Sequence, residues 1–306
     1  IEQEKLTYPI IQLPLSIMDP KLHLLRNRSL WLGFSITGGL TLVNGLAILY
    51  PVLPSIPLKR ILNLHRLLTD RPWNAVGWTP VTIHPHLIGL GFLMPIDLLF
   101  SAWFFYWVLK AQRIFSSAVG LQGLPNFPYA KEQSFGAYIA IILAALWVGR
   151  HHFQQVSLSL FRPDKDQPDI VAGSISDRTA VIGIILGFVF LCFFSVRAGM
   201  GIWLSVAFFF LYYLLSTAIT RMRAELGFPI HDAHYPLGPD HIAIIAQGTR
   251  RLGPKNLAVL ALYHWFNRTY ASHPMPHQLE GFKMSDQLRI STPCVSRNLI
   301  LILMLA

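Results

Sequence analysis

Long apolar blocks, separated by shorter polar stretches, dominate the hydrophobic pattern of this chain. A helix that crosses a lipid bilayer needs about 20 mainly apolar residues. The blocks that reach or approach this length are 30–52, 87–109, 135–149, 179–196 and 201–219, and a sixth begins near Asn298. The pattern therefore predicts an all-α fold, a polytopic bundle of transmembrane helices.

Interruptions within and between these blocks predict departures from simple crossing helices. Only residues 197–200 separate the fourth and fifth blocks, which predicts a tight helical hairpin. Residues 257–266 are apolar but too few to span, which favours a re-entrant or interfacial helix. Gly89, Gly91 and Pro95 lie inside the second block. We therefore expect at least one broken or re-entrant helix in the bundle.

The apolar blocks run through the whole chain, so residues 1–306 are predicted to form a single membrane domain. Within it, residues 224–292 are predicted to be a loop and interfacial-helix region, because Pro, Gly, His and Arg interrupt its short apolar runs. The chain stops inside the apolar run 299–305, where a crossing helix would hardly end. The sequence is therefore expected to be a fragment of a longer protein.

The composition agrees with a lipid environment. Hydrophobic residues make up 53% of the chain and charged residues 13%, whereas soluble domains typically carry about 25% charged residues. The net charge of +10 comes mostly from Lys and Arg between the apolar blocks, as expected of loops at a membrane surface. These observations argue against nucleic-acid binding. They predict a multi-pass protein of the cell (inner) membrane, with the lipid bilayer as a partner.

Sequence motifs that mark enzymes are absent. There is no GxxxxGK[ST] loop for nucleotide phosphates, no GxSxG turn and no HExxH helix. Cys192 and Cys294 make no disulfide framework and indicate no metal site. We therefore predict that the protein is not an enzyme and that it needs no cofactor.

Asp97 is the most informative residue, because it lies near the middle of the second block. A carboxylate at the centre of a membrane span costs about 2.5–3.5 kcal/mol on insertion scales, so it usually faces protein or a water-filled cavity. Pro95 removes a backbone hydrogen bond beside it. A broken helix with an ionisable group at mid-membrane is a common transporter site. The alternative is that Asp97 caps a half-helix or pairs with a neighbouring arginine.

These features predict a secondary transporter of a small-molecule or peptide solute. Asp97 is predicted to carry the coupling ion, a proton, with His84 and His86 as a relay. The residues predicted to shape the solute site are Asn44, Gly89, Gly91, Pro95 and Ser101. The sequence leaves open whether the protein forms a homo-oligomer.

The histidines leave two further interpretations open. The run from 231 to 241 has ligand-type side chains at close spacing, and a metal site there would use His231, Asp232, His234, Asp240 and His241. This spacing matches no zinc pattern, so loop structure and helix capping are the simpler interpretation. The rival to transport is a non-transporting membrane subunit or scaffold. It would bind haem or a pigment through His84, His86, His151 or His152.

The C-terminal part of the chain resembles a known family. Its distinctive segments are 223–227, 238–240, 248–256, 265–268 and 272–283, the last containing the run His-Pro-Met-Pro-His-Gln-Leu-Glu-Gly-Phe-Lys. Together with the opening segment 4–9, they resemble large, uncharacterised prokaryotic membrane proteins over the whole chain. In that family these segments lie in the second half of a longer protein, which agrees with the expected fragment.

That family is in turn distantly similar to the oligopeptide transporter superfamily. The matching segments are Leu6–Pro9, which is like an entry segment Leu-Thr-Phe-Pro, and His86–Pro95, which is like a Gly-rich stretch leading into a span. The resemblance implies proton-coupled secondary transport of peptides or metal chelates. This chain departs from the pattern at Asp97, where those transporters usually have uncharged polar residues, and the loop rich in His and Asp has no clear counterpart.

Overall fold

A computed structural model describes residues 8–18, 26–56, 62–82, 84–92, 94–124, 127–151, 154, 177–227, 238–267 and 273–288. The α-helices of this part of the chain are α1 Gln12–Met18, α2 Arg28–Leu49, α3 Pro85–Gly91, α4 Ile96–Val119, α5 Ala130–Val148, α6 Asp177–Arg197, α7 Ile202–Leu226, α8 Pro239–Asn267 and α9 Pro274–Gln287. The strands β1 Leu62–Asn63 and β2 Pro80–Val81 form one short antiparallel pair. The predicted all-α class is confirmed.

Three of the helices in these ranges are long and apolar enough to cross a membrane. They are Arg28–Leu49, Arg178–Arg197 and Ile202–Leu226, which coincide with the first, fourth and fifth apolar blocks. No residue of α2 is buried, and large apolar side chains such as Ile48 are exposed on it. The third block forms α5, and the sixth block lies outside the described residues.

The chain divides into two compact units. The N-terminal unit is Pro9–Ala130, and the C-terminal unit comprises Ile1–Tyr8 and Lys131–Ala306. The assignment of the whole chain to one membrane domain stays a prediction. Within the predicted interfacial region 224–292, the structure describes two helices, α8 and α9.

The second apolar block forms two helices in the N-terminal unit. α3 ends at Gly91 and α4 begins at Ile96. Pro95 has no N–H to donate to the Gly91 carbonyl one turn earlier, and the Met94 N–H donates to that carbonyl instead (3.1 Å). The Pro95 carbonyl accepts the first bonds of α4, from Leu98 and Leu99. The second apolar block is therefore broken between α3 and α4, and its place in a membrane bundle stays a prediction.

The buried Lys110 attaches α4 to the segment that precedes α3. Its Nζ donates to the carbonyls of Val76 (3.0 Å) and Trp78 (2.9 Å) and lies 5.3 Å from the centre of the Tyr106 ring. A buried ammonium group is tolerated only when its donors are satisfied. These two bonds fix the 3₁₀ helix Trp73–Val76 against α4.

In the C-terminal unit, α6 and α7 form the predicted tight hairpin. The connecting residues 198–201 include Gly199, whose φ of +106° suits a residue without a side chain. Along the hairpin, the Ser205 hydroxyl donates to the Cys192 carbonyl (3.5 Å). Phe135 of α5 packs against the buried cluster formed by Leu215 and Ile219 of α7, which adds a third helix to this unit.

The helix α8 doubles back on itself. Two of its glycines have non-helical backbone, Gly248 (φ 74°, ψ 152°) and Gly253 (φ 71°, ψ 167°). A straight helix would separate residues 27 positions apart by about 40 Å, yet Asn267 Nδ2 lies 2.6 Å from Asp240 Oδ1. The first arm, 239–247, and the second arm, 254–267, therefore meet at their far ends.

Candidate functional site

Asp240 is the centre of a polar cluster where the two arms of α8 meet. Asn267 donates to its Oδ1 (2.6 Å), His241 Nδ1 lies 3.3 Å from Oδ1, and His264 Nδ1 lies 3.2 Å from Oδ2. The carboxylate is buried, whereas the side chains of His241 and His264 are 53% and 48% exposed. We name these four residues the Asp240 cluster. It holds one buried carboxyl group between two half-exposed imidazoles.

Gly238 makes room for this arrangement. A Cβ at Gly238 would lie 2.5 Å from Asp240 Oδ1 and 2.9 Å from Asn267 Nδ2, which is closer than real Cβ contacts allow. The Gly238 carbonyl also accepts the Ile242 N–H (3.0 Å), which begins the first arm. The absence of a side chain at this position therefore lets the carboxylate and the amide meet.

The second arm of α8 runs alongside α7, from the start of α7 to the middle of α7. Near the start, Asn256 Oδ1 accepts the Gly201 N–H (2.7 Å). Further along, the ring centre of Tyr263 lies 5.4 Å from that of Phe208. At the end of the arm, the Phe266 ring lies 5.4 Å from that of Tyr212, near the middle of α7.

α9 continues along α7 from the same point. The His273 ring, just before α9, lies 6.0 Å from the Tyr212 ring. Farther on, Arg223 forms a buried two-pronged pair with Glu280, with Nε donating to Oε1 (2.5 Å) and Nη2 donating to Oε2 (3.0 Å). The second arm and α9 thus line α7 in sequence, and Phe266 at the end of the arm and His273 before α9 both lie beside Tyr212.

The break between α3 and α4 in the N-terminal unit has a different character. Asp97 lies in the first turn of α4 and is exposed, and no described residue forms a hydrogen bond or an ion pair with it. A carboxylate in a first turn is favoured by the helix dipole. Ser101 follows one turn later and is also exposed, so both side chains lie on one helix face.

Comparison with known proteins gives a family but no activity. A family model matches residues 1–306, and its description is a family of unknown function, DUF6785. The chain belongs to DUF6785. No curated protein and no solved structure matches it. Membership of DUF6785 assigns no chemistry, so function must be argued from the residues.

The other residues predicted for the solute site of this DUF6785 chain lie apart in sequence. Asn44 is on α2, where its Oδ1 accepts the Ile56 N–H (2.8 Å) and so holds the turn after that helix. Gly89 and Gly91 are on α3, and a Cβ on either would meet no described heavy atom within 4 Å. The presence of glycine at these two positions is therefore not explained by close packing of another described helix or strand.

The predicted histidine relay lies at the start of α3. The His84 carbonyl accepts the N–H groups of Leu87 (3.0 Å) and Ile88 (3.2 Å), which begins the helix. His86 lies within α3, and its side chain is outside the described residues. For the haem alternative, His151 is exposed just after α5, and His152 is not described.

The predicted metal set is described only in part. His231, Asp232 and His234 lie outside the described residues. Asp240 and His241 do lie together, but their described partners are His264 and Asn267. Within the described ranges, no group of three or more His, Cys, Asp or Glu side chains is arranged to hold a metal ion.

Sequence reasoning missed His264 and Asn267, which follow Asp240 by 24 and 27 positions. The sequence did contain one signal of this contact. Gly248 and Gly253 flank a short, mostly polar segment, and two glycines in such positions suit a helix that folds back.

Proposed function

We propose that this protein is a multi-pass integral membrane protein of the cell (inner) membrane that works as a proton-coupled secondary transporter. Its solutes are small peptides or metal-chelate-like compounds. The observation that carries the proposal is an interrupted apolar helix, α3–α4, with the carboxylate of Asp97 at the interruption. Transporters build sites from broken helices of this kind.

A lipid environment explains the exposed apolar surface. Large apolar side chains are exposed along α2, α6 and α7, including Leu49, Phe190 and Trp203. A soluble monomer rarely exposes contiguous apolar patches larger than a few hundred Å². Hydrocarbon would cover this surface without a penalty.

In a lipid environment the side chain of Asp97 has two stable states. Its neighbours Ile96 and Phe100 are exposed and apolar, and an ionised carboxylate among them in hydrocarbon would be costly. The side chain is therefore either protonated or open to a water-filled cavity. Alternation between these conditions takes up a proton on one side and releases it on the other, and His84 and His86 are proposed as the relay.

The solute class rests on the similarity of Leu6–Pro9 and His86–Pro95 to segments of oligopeptide transporters. Peptides and metal chelates both carry charged and hydrogen-bonding groups. Asn44, Gly89, Gly91, Pro95 and Ser101 remain the proposed contacts.

Uptake into proteoliposomes tests the proposal. The probes are radiolabelled trialanine and a citrate chelate of radiolabelled zinc, with an inward pH gradient and the membrane potential clamped. We expect the wild-type protein to accumulate at least one probe, and Asp97→Asn to abolish accumulation. Asp286→Asn is the matched control, because that carboxylate is exposed and its one ion pair within the described residues is with Lys283 (3.6 Å).

The outcomes separate the two parts of the proposal. If the wild-type protein accumulates neither probe, secondary transport of these solutes is wrong. If Asp97→Asn accumulates a probe like the wild type, Asp97 does not carry the proton. A strong visible absorption band of the purified protein would instead favour the pigment-binding subunit.

A further inference from the structure

The turn between α6 and α7 lies against the tip of α8, residues 248–253, at one end of the C-terminal unit. The Gly201 N–H at the end of the turn donates to Asn256 Oδ1, just after the tip (2.7 Å). Met200 of the turn and Leu252 of the tip are buried members of one apolar cluster. These contacts hold the turn and the tip together as one surface.

This surface carries four positive charges, one from the end of α6 and three from α8. They are Arg197, Arg250, Arg251 and Lys255, and all four residues are exposed. We name them the basic tip. Among the described residues, none of the four has an ion-pair or hydrogen-bond partner for its side chain. The surrounding segments, 187–211 and 241–262, contain no Asp or Glu, so these segments offer no acidic side chain to offset the charge.

The opposite end of α7 is balanced in charge. Three ion pairs within or between α7 and α9 are described there: Arg221–Glu225, Arg223–Glu280 and Lys283–Asp286. The excess positive charge therefore lies at the α6–α7 turn. Like charges on one surface repel each other, and an anionic partner from outside the chain would relieve that repulsion.

The position of the basic tip indicates where such a partner lies. Arg178–Arg197 and Ile202–Leu226 have 20 and 25 residues and are apolar enough to cross a membrane. A helix of about 20 residues spans the hydrocarbon core, so a turn that joins two such helices lies at the level of the lipid headgroups. Trp203, in the first turn of α7, is 84% exposed, and tryptophan is enriched at this level of the bilayer.

The chemistry of the basic tip suits a phosphate of a lipid headgroup. A guanidinium can donate two parallel hydrogen bonds to one phosphate, and an ammonium group adds a point charge. Each Lys or Arg beside an anionic membrane surface strengthens binding by about fivefold. Lys and Arg are also enriched at the cytoplasmic face of membranes, where the leaflet is anionic.

We propose that the basic tip binds the headgroup phosphates of anionic phospholipids at the membrane face where α6 and α7 turn. The inference rests on the membrane-spanning part of the proposed function and requires no transport. A zwitterionic headgroup carries a positive charge beside its phosphate, which the basic tip repels. The protein therefore prefers an anionic phospholipid to a zwitterionic one.

Lipid binding to the detergent-solubilised protein tests the proposal. Native mass spectrometry, in separate titrations with phosphatidylglycerol and phosphatidylcholine, gives the dissociation constant of the first bound lipid. We expect the wild-type protein to bind phosphatidylglycerol more tightly. The double variant Arg250→Gln, Arg251→Gln should weaken this binding by about 25-fold, because it removes two positive charges.

A second variant and a matched control keep the test decisive. Arg197→Gln changes α6 instead of α8, so it remains informative if the double variant fails to fold, and the expected loss is about fivefold. The control is the double variant Arg178→Gln, Arg221→Gln. It removes the same number of charges from α6 and α7 at the ends away from the basic tip, and it should retain the wild-type preference.

Three results would overturn the inference. Equal affinity of the wild type for the two lipids leaves no headgroup preference to explain. Equal losses in the control and in the α8 double variant mean that net charge, and not the basic tip, attracts the lipid. Displacement of the lipid by glycerol phosphate at the same concentration would indicate a site for soluble anions instead.

Failure of the proposed function is recognised by different measurements. Release of the protein from membranes by alkaline carbonate would contradict both the membrane-spanning proposal and this inference. Absence of uptake of both solute probes contradicts transport alone, because lipid binding is measured without a solute.

Discussion

The break between α3 and α4 and the return of α8 differ in what maintains them. At 92–95, the break follows from the backbone, because Pro95 has no N–H and Met94 takes its place at the Gly91 carbonyl. The carboxylate beside it, Asp97, is exposed. In the C-terminal unit, side chains hold the helices in place: the Asp240 cluster joins the two arms of α8, and the Arg223–Glu280 pair joins α9 to α7.

This difference predicts different sensitivity to substitution. A break made by proline persists when neighbouring side chains change. A break held by buried polar contacts depends on each contact, because removal of one partner leaves the other buried and unsatisfied. The C-terminal unit should therefore lose much more stability on single substitutions than the segment around 92–95.

The largest effect is expected for Glu280→Gln. Arg223 and Glu280 are both buried, and the substitution leaves the guanidinium without a counter-charge. Breaking a buried pair in this way costs about 3–5 kcal/mol. Unfolding of the purified protein in detergent, followed by tryptophan fluorescence against denaturant, measures the change in free energy.

Glu225→Gln is the matched control on the same helix. Its partner Arg221 lies 3.7 Å away, and Glu225 is 55% exposed. Exposed pairs of this kind contribute about 0.3–0.5 kcal/mol. Equal losses for the two variants would show that α9 is not anchored by the Arg223–Glu280 pair.

A smaller loss is expected for Gly238→Ala. The added Cβ would overlap Asp240 Oδ1 and Asn267 Nδ2, so the two arms of α8 must separate slightly. Forced overpacking of this kind typically costs about 1–3 kcal/mol. The same denaturation measurement applies, and amide hydrogen exchange should rise at the ends of α8. Unchanged exchange there would contradict the described contact between the arms.

The helices could be predicted from the sequence because their signal is local. The blocks 30–52, 179–196 and 201–219 correspond to α2, α6 and α7, since apolar length alone identifies a candidate crossing helix. The four-residue gap between the last two blocks also sufficed to predict their hairpin.

The candidate sites could be predicted only in part, because their partners are distant in sequence. Asp240 and His241 stand out as ligand-type residues in one run, but His264 reaches them only because α8 folds back at Gly248 and Gly253. The hydrophobic pattern does not show that a helix folds back in this way. Asp97, by contrast, lies at a break that Pro95 marks locally, and its predicted role in coupling stays untested.

The smallest effect, and the one that decides what the glycines of α3 do, is expected for Gly89→Ala. A Cβ there would meet no described atom within 4 Å, and alanine stabilises a helix interior by about 0.5–1 kcal/mol relative to glycine. We therefore expect Gly89→Ala to be slightly more stable than the wild type, so its change in the free energy of unfolding is opposite in sign to that of Gly238→Ala.

Uptake of trialanine then separates two possible roles of Gly89. If Gly89 contacts the solute, as proposed, the variant takes up trialanine more slowly although it is more stable. If uptake is unchanged, Gly89 contributes only to the backbone, and Asn44, Gly91, Pro95 and Ser101 remain the proposed contacts.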